Sequence, residues 1–109
     1  MAKLKSAMVG LLAAGLALPV AAQDAGQDAG AKVYKSKCSK CHGEDGRSHT
    51  FAGRMTGAVD LKDPKVTAMA DADLIAVVKN GKKKMPAFQK KLTDDEITAV
   101  VAYVRTLEH

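Results

Sequence analysis

The interpretation of this 109-residue chain depends on the stretch Cys38-Ser39-Lys40-Cys41-His42. Two cysteines at this spacing can add their sulfurs to the two vinyl groups of one porphyrin, and the histidine that follows can then reach its iron. Cys38 and Cys41 are the only cysteines in the chain, so no third thiol competes for another pairing. The motif predicts one covalent c-type haem, with Cys38 and Cys41 as thioether anchors and His42 as an axial iron ligand.

Residues 1–22 are predicted to be a cleaved signal peptide. A positively charged start is followed by an apolar stretch over 7–18 and by the small residues Val20-Ala21-Ala22, which suit a cleavage site. The apolar stretch is shorter than the roughly 20 residues that span a bilayer, so a retained anchor is the less favoured alternative. We expect a single domain over 23–109 in the periplasm, with no permanent membrane anchor.

The predicted mature domain is small and mildly basic. Loss of Lys3 and Lys5 with the leader lowers the formal net charge from +5 to +3. The lysines are not interleaved with aromatic residues, so no nucleic-acid partner is predicted. With two Tyr, two Phe and no Trp, the domain has few large apolar side chains of its own. Small domains often need a metal or another cofactor for stability, so we expect the haem to form part of the core.

Three helices are predicted, over 28–40, over 71–79 and from Thr93 onward. Asp28 and Asp71 are the predicted N-caps of the first two helices, and Asn80-Gly81 is predicted to end the second. The segments between helices are predicted to be loops and turns, over 43–57, 60–64 and 82–91. No segment alternates as an exposed strand would, so the predicted fold class is all-α.

The last helix has the clearest local signal. Thr93 and Glu96 fit a capping box, in which each side chain bonds the backbone of the other residue. Leu92 and Ile97 flank the cap and are predicted to form a hydrophobic staple. Apolar residues then recur at helical spacing on one face, at Ile97, Val100, Val101 and Val104.

Met85 is the predicted second axial ligand of the iron. It lies in a loop between two predicted helices, and Pro86 biases it away from helical geometry. A thioether is a neutral, soft donor that favours the ferrous state and raises the reduction potential. The alternative is that Met85 only fills a gap in the core, which is the commoner use of methionine.

Other side chains compete less well for the iron. His49 is the main rival, because two histidines can ligate one haem, but it lies only seven residues after His42. Met69 lies beside a predicted helix start and is expected in the core. Met55 lies in the glycine-rich loop and would need an unusual path to the iron. His109 is the last residue and is expected to be solvated.

These residues resemble the class I cytochrome c family, in particular small single-haem bacterial cytochromes of the c6, c551 and c553 types. The resemblance covers residues 28–108 and rests on C-x-x-C-H at 38–42 and on Met85-Pro86-Ala87-Phe88. It implies the class I fold, with three to five helices around one covalently attached haem. It also implies that Gly30 and Tyr34 of the first helix pack against Val100 and Tyr103 of the last.

The resemblance leaves two partners of the haem open. The family usually has a proline carbonyl that accepts a hydrogen bond from the proximal histidine. Pro64 is the only proline between the two predicted ligands, and it is not a clear match. Arg54 is either a partner of a haem propionate or an exposed loop cation.

The predicted function is that of a soluble periplasmic one-electron carrier rather than an enzyme, because two protein ligands leave no open position on the iron. Such a carrier would shuttle electrons between respiratory or photosynthetic partners, such as an oxidase, a quinol–cytochrome complex, a photosynthetic centre or a dehydrogenase. Five lysines flank the predicted ligand Met85, at positions 82, 83, 84, 90 and 91. They form either a docking patch for acidic partner surfaces or a merely solvated loop. We expect a monomer.

Three other classes compete with the carrier. A haem enzyme or gas sensor needs a vacant sixth position. A thiol oxidoreductase carries its C-x-x-C after a strand, whereas a helix is predicted before Cys38. A zinc module needs two further ligands at suitable spacing, which His42 and His49 provide poorly.

Overall fold

The structure is a computed structural model that describes residues 28–108, in which five helices and no strand are found. Helix α1 extends from residue 28 to His42 and is followed by α2 (Phe51–Thr56), α3 (Pro64–Thr67), α4 (Asp71–Asn80) and α5 (Asp94–Thr106). This confirms the predicted all-α class. The predicted signal peptide and His109 lie outside the described residues. Across 28–108, no helix is both long and apolar enough to cross a membrane.

Helix α1 carries the whole C-x-x-C-H motif. It is α-helical over 28–33, π-helical over Tyr34–Cys38 and α-helical again over Ser39–His42. Residue 28 is already helical, so Asp28 is not the N-cap that was predicted. The helix also continues past the predicted end at Lys40. It stops at Gly43, which has φ 78° and donates its N–H to the Ser39 carbonyl at 2.8 Å.

Helices α1 and α5 cross in close contact. Gly30 is buried there, and a Cβ atom on it would lie 2.3 Å from the Ala99 carbonyl oxygen and 3.1 Å from Cβ of Tyr103. The rings of Tyr34 and Tyr103 pack with centroids 5.3 Å apart. The predicted pairing with Tyr103 is therefore confirmed, but the nearest neighbour of Gly30 is Ala99 rather than Val100.

The capping box predicted for α5 is present. The Thr93 hydroxyl accepts from Glu96 N at 3.1 Å, and the Glu96 carboxylate accepts from Thr93 N at 2.8 Å. Leu92 and Ile97 on either side of the cap are both buried. They belong to a core formed by Val33, Tyr34, Leu61, Val66, Phe88, Leu92, Ile97 and Val100.

The loop predicted over 43–57 is wrong in its second half, where α2 forms. Thr50 caps this helix by accepting from Gly53 N at 2.8 Å, and Gly57 ends it at φ 71°. The predicted turn at 60–64 is correct only as far as Asp63. The Asp63 carboxylate accepts from Lys65 N at 2.9 Å and starts α3, with Pro64 in its first turn.

Asp71 does not cap α4 as predicted. It is the first helical residue, the N-cap is Ala70, and no side chain bonds the free N–H groups there. The Asp71 carboxylate instead accepts from Nε of Arg105 at 2.9 Å. The Arg105 guanidinium also donates to the carbonyls of Thr67 and Met69, so a long-range clamp holds the start of α4 to the end of α5.

We predict that Gly30→Ala destabilises the haem-loaded protein by about 1–3 kcal/mol, since the added methyl group has no room beside the Ala99 carbonyl. Helix propensity alone favours alanine by about 1 kcal/mol, so the sign of the change separates the two effects. Denaturant unfolding followed by circular dichroism measures it. Ala29→Ser at the exposed neighbouring position is the control. Stabilisation by Gly30→Ala would contradict a tight crossing.

We predict that Thr93→Ala lowers the free energy of unfolding by about 1 kcal/mol, since the N–H of Glu96 loses its acceptor. Thr93→Ser keeps the hydroxyl and should retain most of the stability. The same unfolding measurement compares the two variants. An equal loss in both would show that the methyl group of Thr93, rather than the cap, matters.

Candidate functional site

The predicted haem anchors lie together at the end of α1. Cys38 and Cys41 are half-buried, unpaired thiols three residues apart on the helix, so they lie near the same face. Cys38 packs against the hydrophobic core. The π-helical segment ends at Cys38, and such segments are frequent at functional sites.

His42, the predicted proximal ligand, is oriented by a backbone carbonyl. Its Nδ1 lies 3.2 Å from the carbonyl oxygen of Val59. Burial lowers the pKa of His42, and the bond to the Val59 carbonyl opposes that effect only in part. A lowered pKa favours the neutral imidazole, which is the form that binds a metal through its other nitrogen. Its role as an iron ligand stays a prediction.

The acceptor for His42 is not the proline that the resemblance suggests. Pro64 lies in the first turn of α3, and the carbonyl of Val59 takes the place instead. Ser48 also lies at this position, since its hydroxyl donates to the same Val59 carbonyl. Sequence reasoning missed both residues, because the acceptor is a backbone carbonyl with no side-chain signature and Ser48 lies here only through its bond to that carbonyl.

Helix α2 packs directly against the motif. The Thr50 hydroxyl donates to the Cys41 carbonyl at 2.9 Å while also capping α2. A Cβ atom on Gly53 would lie 2.4 Å from the Cys41 carbonyl oxygen and 2.8 Å from that of Ser48. Only glycine allows this approach, so the unpredicted helix α2 fixes the backbone around Cys41 and His42.

Met85, the predicted distal ligand, is held in a tight turn. Its N–H donates to the Lys82 carbonyl at 2.9 Å, and its carbonyl accepts from Lys82 N at 3.1 Å. Gly81 has φ 75°, and a Cβ there would lie 2.7 Å from the Met85 carbonyl oxygen. The buried Phe88 anchors the far side by donating its N–H to the Val78 carbonyl. Met85 is half-buried against the same core as Cys38.

The rival ligands lie in less favourable places. His49 is exposed, and so is Met55, whose side chain is 60 % accessible. Met69 is half-buried next to α4. Arg54 is exposed, and whether it pairs with a haem propionate or is only a solvated cation stays open.

The thiols do not suit a dithiol–disulfide catalyst. Burial, assisted by the neighbouring Cys41, raises the pKa of Cys38 to about 11. A reactive cysteine of that class needs a lowered pKa, and its motif follows a strand rather than a helix. Within residues 28–108, no three His, Cys, Asp or Glu side chains are grouped to hold a metal ion.

The side chains around the motif fit a large, flat, apolar group. Three large apolar side chains are exposed in this part of the chain: Phe51 at 75 %, Met55 at 60 % and Val59 at 55 %. Val59 is also the residue that contacts His42 through its carbonyl. Two thiols, an imidazole and a thioether are the donors expected for a c-type haem with His/Met ligation, and a porphyrin would cover apolar surface that water otherwise contacts.

Comparison with known proteins shows the family to which the chain belongs. Residues 25–104 match the family described as "Cytochrome C oxidase, cbb3-type, subunit III". The chain is 39 % identical to cytochrome c6 of Leptolyngbya boryana over 79 residues, which cover 70 % of this chain and 86 % of that protein. It is 33 % identical to the oxidase subunit CcoP of Azospirillum brasilense, but spans only 29 % of that protein's length.

A solved structure supports the same assignment. The c-type cytochrome KustC0563 aligns with a TM-score of 0.68 and 34 % identity, over 73 % of this chain and 98 % of that chain. The fold shared with this cytochrome and the similarity to cytochrome c6 identify the chain as a haem-binding, electron-transport domain. The chain belongs to the cytochrome c family, as a small class I c-type cytochrome.

Proposed function

We propose that this protein is a soluble periplasmic one-electron carrier rather than an enzyme, with a single haem held by Cys38, Cys41, His42 and Met85. The observation that carries the proposal is that Cys38 and Met85, far apart in sequence, pack against the same core. The proposed address rests on the predicted leader 1–22. A cleaved leader delivers the chain to an oxidising compartment, where c-type cysteines need their vinyl partners to avoid pairing with each other.

The haem would supply a one-electron couple between the ferric and ferrous states. Cys38 and Cys41 would bind it covalently to α1, so that it cannot dissociate between partners. The carbonyl of Val59 would hold the His42 ring in one orientation. The turn closed by Lys82 and Met85 would present the thioether sulfur from a constrained backbone.

A site of this kind suits electron exchange better than bond making. His42 and Met85 would both bind the iron and would leave no place on it for a substrate. Both ligands come from rigid segments, since α1 is packed on α5 and the Met85 turn is anchored through Phe88. A rigid ligand set needs little rearrangement when the charge of the iron changes.

A basic surface surrounds the Met85 turn. The side chains of Lys82, Lys83, Lys84, Lys90 and Lys91 are all exposed, and we call them the lysine cluster. Among the described residues, the salt bridges involve Lys79 and Arg105 but no lysine of this cluster. The cluster would therefore attract acidic surfaces of redox partners and speed their encounter.

The relatives are compatible with two kinds of partner. One class of relatives is named cytochrome c6 and the other is named as a subunit of a cbb3-type oxidase. We propose an oxidase, a quinol–cytochrome complex, a photosynthetic centre or a dehydrogenase as donor or acceptor. We further propose that the protein acts as a monomer.

We predict that the oxidised protein shows the weak long-wavelength absorption band of iron–thioether ligation and that Met85→His abolishes it. The substitution should also lower the midpoint potential, because imidazole favours the ferric state more than a thioether does. Visible spectroscopy and spectroelectrochemistry measure both effects. Met55→Leu is the matched control, because it removes the sulfur of an exposed methionine but keeps an apolar side chain there, and it should leave both unchanged.

The same protein tests the competing class. If the reduced protein takes up carbon monoxide readily at neutral pH, the sixth position is open and the chain is a sensor or an enzyme. If the band is lost in Met55→Leu but kept in Met85→His, the protein is still a carrier, but Met55 rather than Met85 binds the iron.

We predict that Lys83→Glu/Lys84→Glu slows oxidation of the reduced protein by the anion hexacyanoferrate(III) about fivefold at low ionic strength. The reason is that the lysine cluster would attract the reagent to the surface where the electron leaves. Stopped-flow spectroscopy at increasing salt concentration gives the rates, and the difference should shrink as salt screens the charges.

Lys32→Glu/Lys65→Glu is the matched control, because it changes the net charge equally at exposed lysines outside the cluster. A small effect of this control supports a local docking surface. An equal effect of both double substitutions would mean that only the net charge matters, and no effect of either would contradict docking at the cluster.

A further inference from the structure

Ser48 occupies an unusual position beside the predicted proximal ligand. Its side chain is polar but buried, with 8 % of the residue's surface exposed. Its φ angle is 65°, in the left-handed region that residues other than glycine rarely adopt. A serine held in that conformation must be stabilised by specific contacts, and such positions cluster at functional sites.

The contacts of Ser48 are with His42 itself and with the Val59 carbonyl that His42 bonds. The backbone N–H of Ser48 donates to the His42 carbonyl at 2.8 Å. The Ser48 hydroxyl donates to the Val59 carbonyl at 2.5 Å and lies 3.4 Å from Nδ1 of His42. Since Nδ1 itself lies 3.2 Å from the same carbonyl oxygen, Ser48 and His42 share one acceptor.

The two bonds to that carbonyl are unequal. An N–H···O bond is usually 2.9–3.0 Å long, so the bond from His42 at 3.2 Å is longer than usual, whereas the bond from Ser48 is short. A carbonyl oxygen has two lone pairs and can accept both bonds. The Ser48 hydroxyl therefore shares this acceptor with Nδ1 and competes with it for the carbonyl oxygen.

We infer that Ser48 is a positioning residue that limits the hydrogen bond received by His42 Nδ1 and thereby keeps the reduction potential high. The inference rests on the proposed role of His42 as axial ligand. A stronger bond from Nδ1 to a carbonyl makes the other ring nitrogen a better electron donor, which stabilises ferric iron. The Ser48 hydroxyl bonds the Val59 carbonyl and so weakens the bond from Nδ1 to it. This favours the ferrous state, as a thioether ligand also does.

Two variants remove the hydroxyl with opposite effects on the backbone. Ser48→Ala keeps the strained φ angle, whereas Ser48→Gly relieves it. Both should shift the midpoint potential to lower values, because the Val59 carbonyl can then move towards Nδ1. In both, the ring N–H proton of His42 should move downfield in the NMR spectrum and exchange more slowly with solvent.

Thr56→Val is the matched control, because it removes another hydroxyl that donates to a backbone carbonyl, that of Ala52 at 2.8 Å, on the neighbouring helix α2. It should change stability but not potential. A merely structural role of Ser48 predicts that stability differs between Ser48→Ala and Ser48→Gly while the potential stays at the unsubstituted value. Should Ser48→Ala fail to fold, Ser48→Gly alone decides the matter.

An unchanged or raised potential in the hydroxyl-free variants would overturn the inference. The proposed function fails separately, in the unsubstituted protein, if the His42 ring protons lack the large shifts that a haem iron ligand shows. When those shifts are present and the potential does not respond to Ser48, only the role of Ser48 is wrong.

Discussion

The buried side chain of Tyr34 joins the packing of the helices to the candidate site. Its ring packs on Tyr103 where α1 crosses α5, and its hydroxyl donates to the Gly43 carbonyl at 2.6 Å. Gly43 ends α1 directly after His42. One side chain therefore fixes both the distance between two helices and the end of the helix that carries the C-x-x-C-H motif. Burial raises the pKa of Tyr34, so the hydroxyl keeps the proton that this bond needs.

The two halves of the candidate site are built by different means. Cys38, Cys41 and His42 are adjacent in sequence, and one helix positions them. The Met85 turn is instead held by a glycine at a positive φ angle, by paired backbone bonds to Lys82 and by the buried Phe88. The second half therefore depends on the packed core, which holds Phe88 and the partly buried Met85.

A packed core needs apolar contacts, and this chain has few large apolar residues to provide them. Its core has only two aromatic members, Tyr34 and Phe88, and several apolar side chains near His42 remain exposed. Members of the family bind haem, and a porphyrin would add apolar contacts in that region. The strained Ser48, bonded to the Val59 carbonyl beside His42, shows that this region is more constrained than its loop-like sequence suggests.

What the sequence determined by itself was local. The C-x-x-C-H motif, the capping box at Thr93 and the apolar face of α5 each lie within a few residues, and the structure has the helices that they predict. The contact between Gly30 and Tyr103 was also predicted, because the family resemblance indicates that distant partner for Gly30.

Tertiary structure alone decided the rest, because it depends on partners far along the chain. Asp71 looked like a cap but pairs with Arg105 of α5, and helix α2 forms in a glycine-rich stretch because Gly53 can lie against the Cys41 carbonyl. The acceptor for His42 is the backbone carbonyl of Val59, and no residue type in the sequence indicates such an acceptor. Contacts within one turn of helix leave a pattern in the sequence, whereas hydrogen bonds to a distant backbone carbonyl leave none.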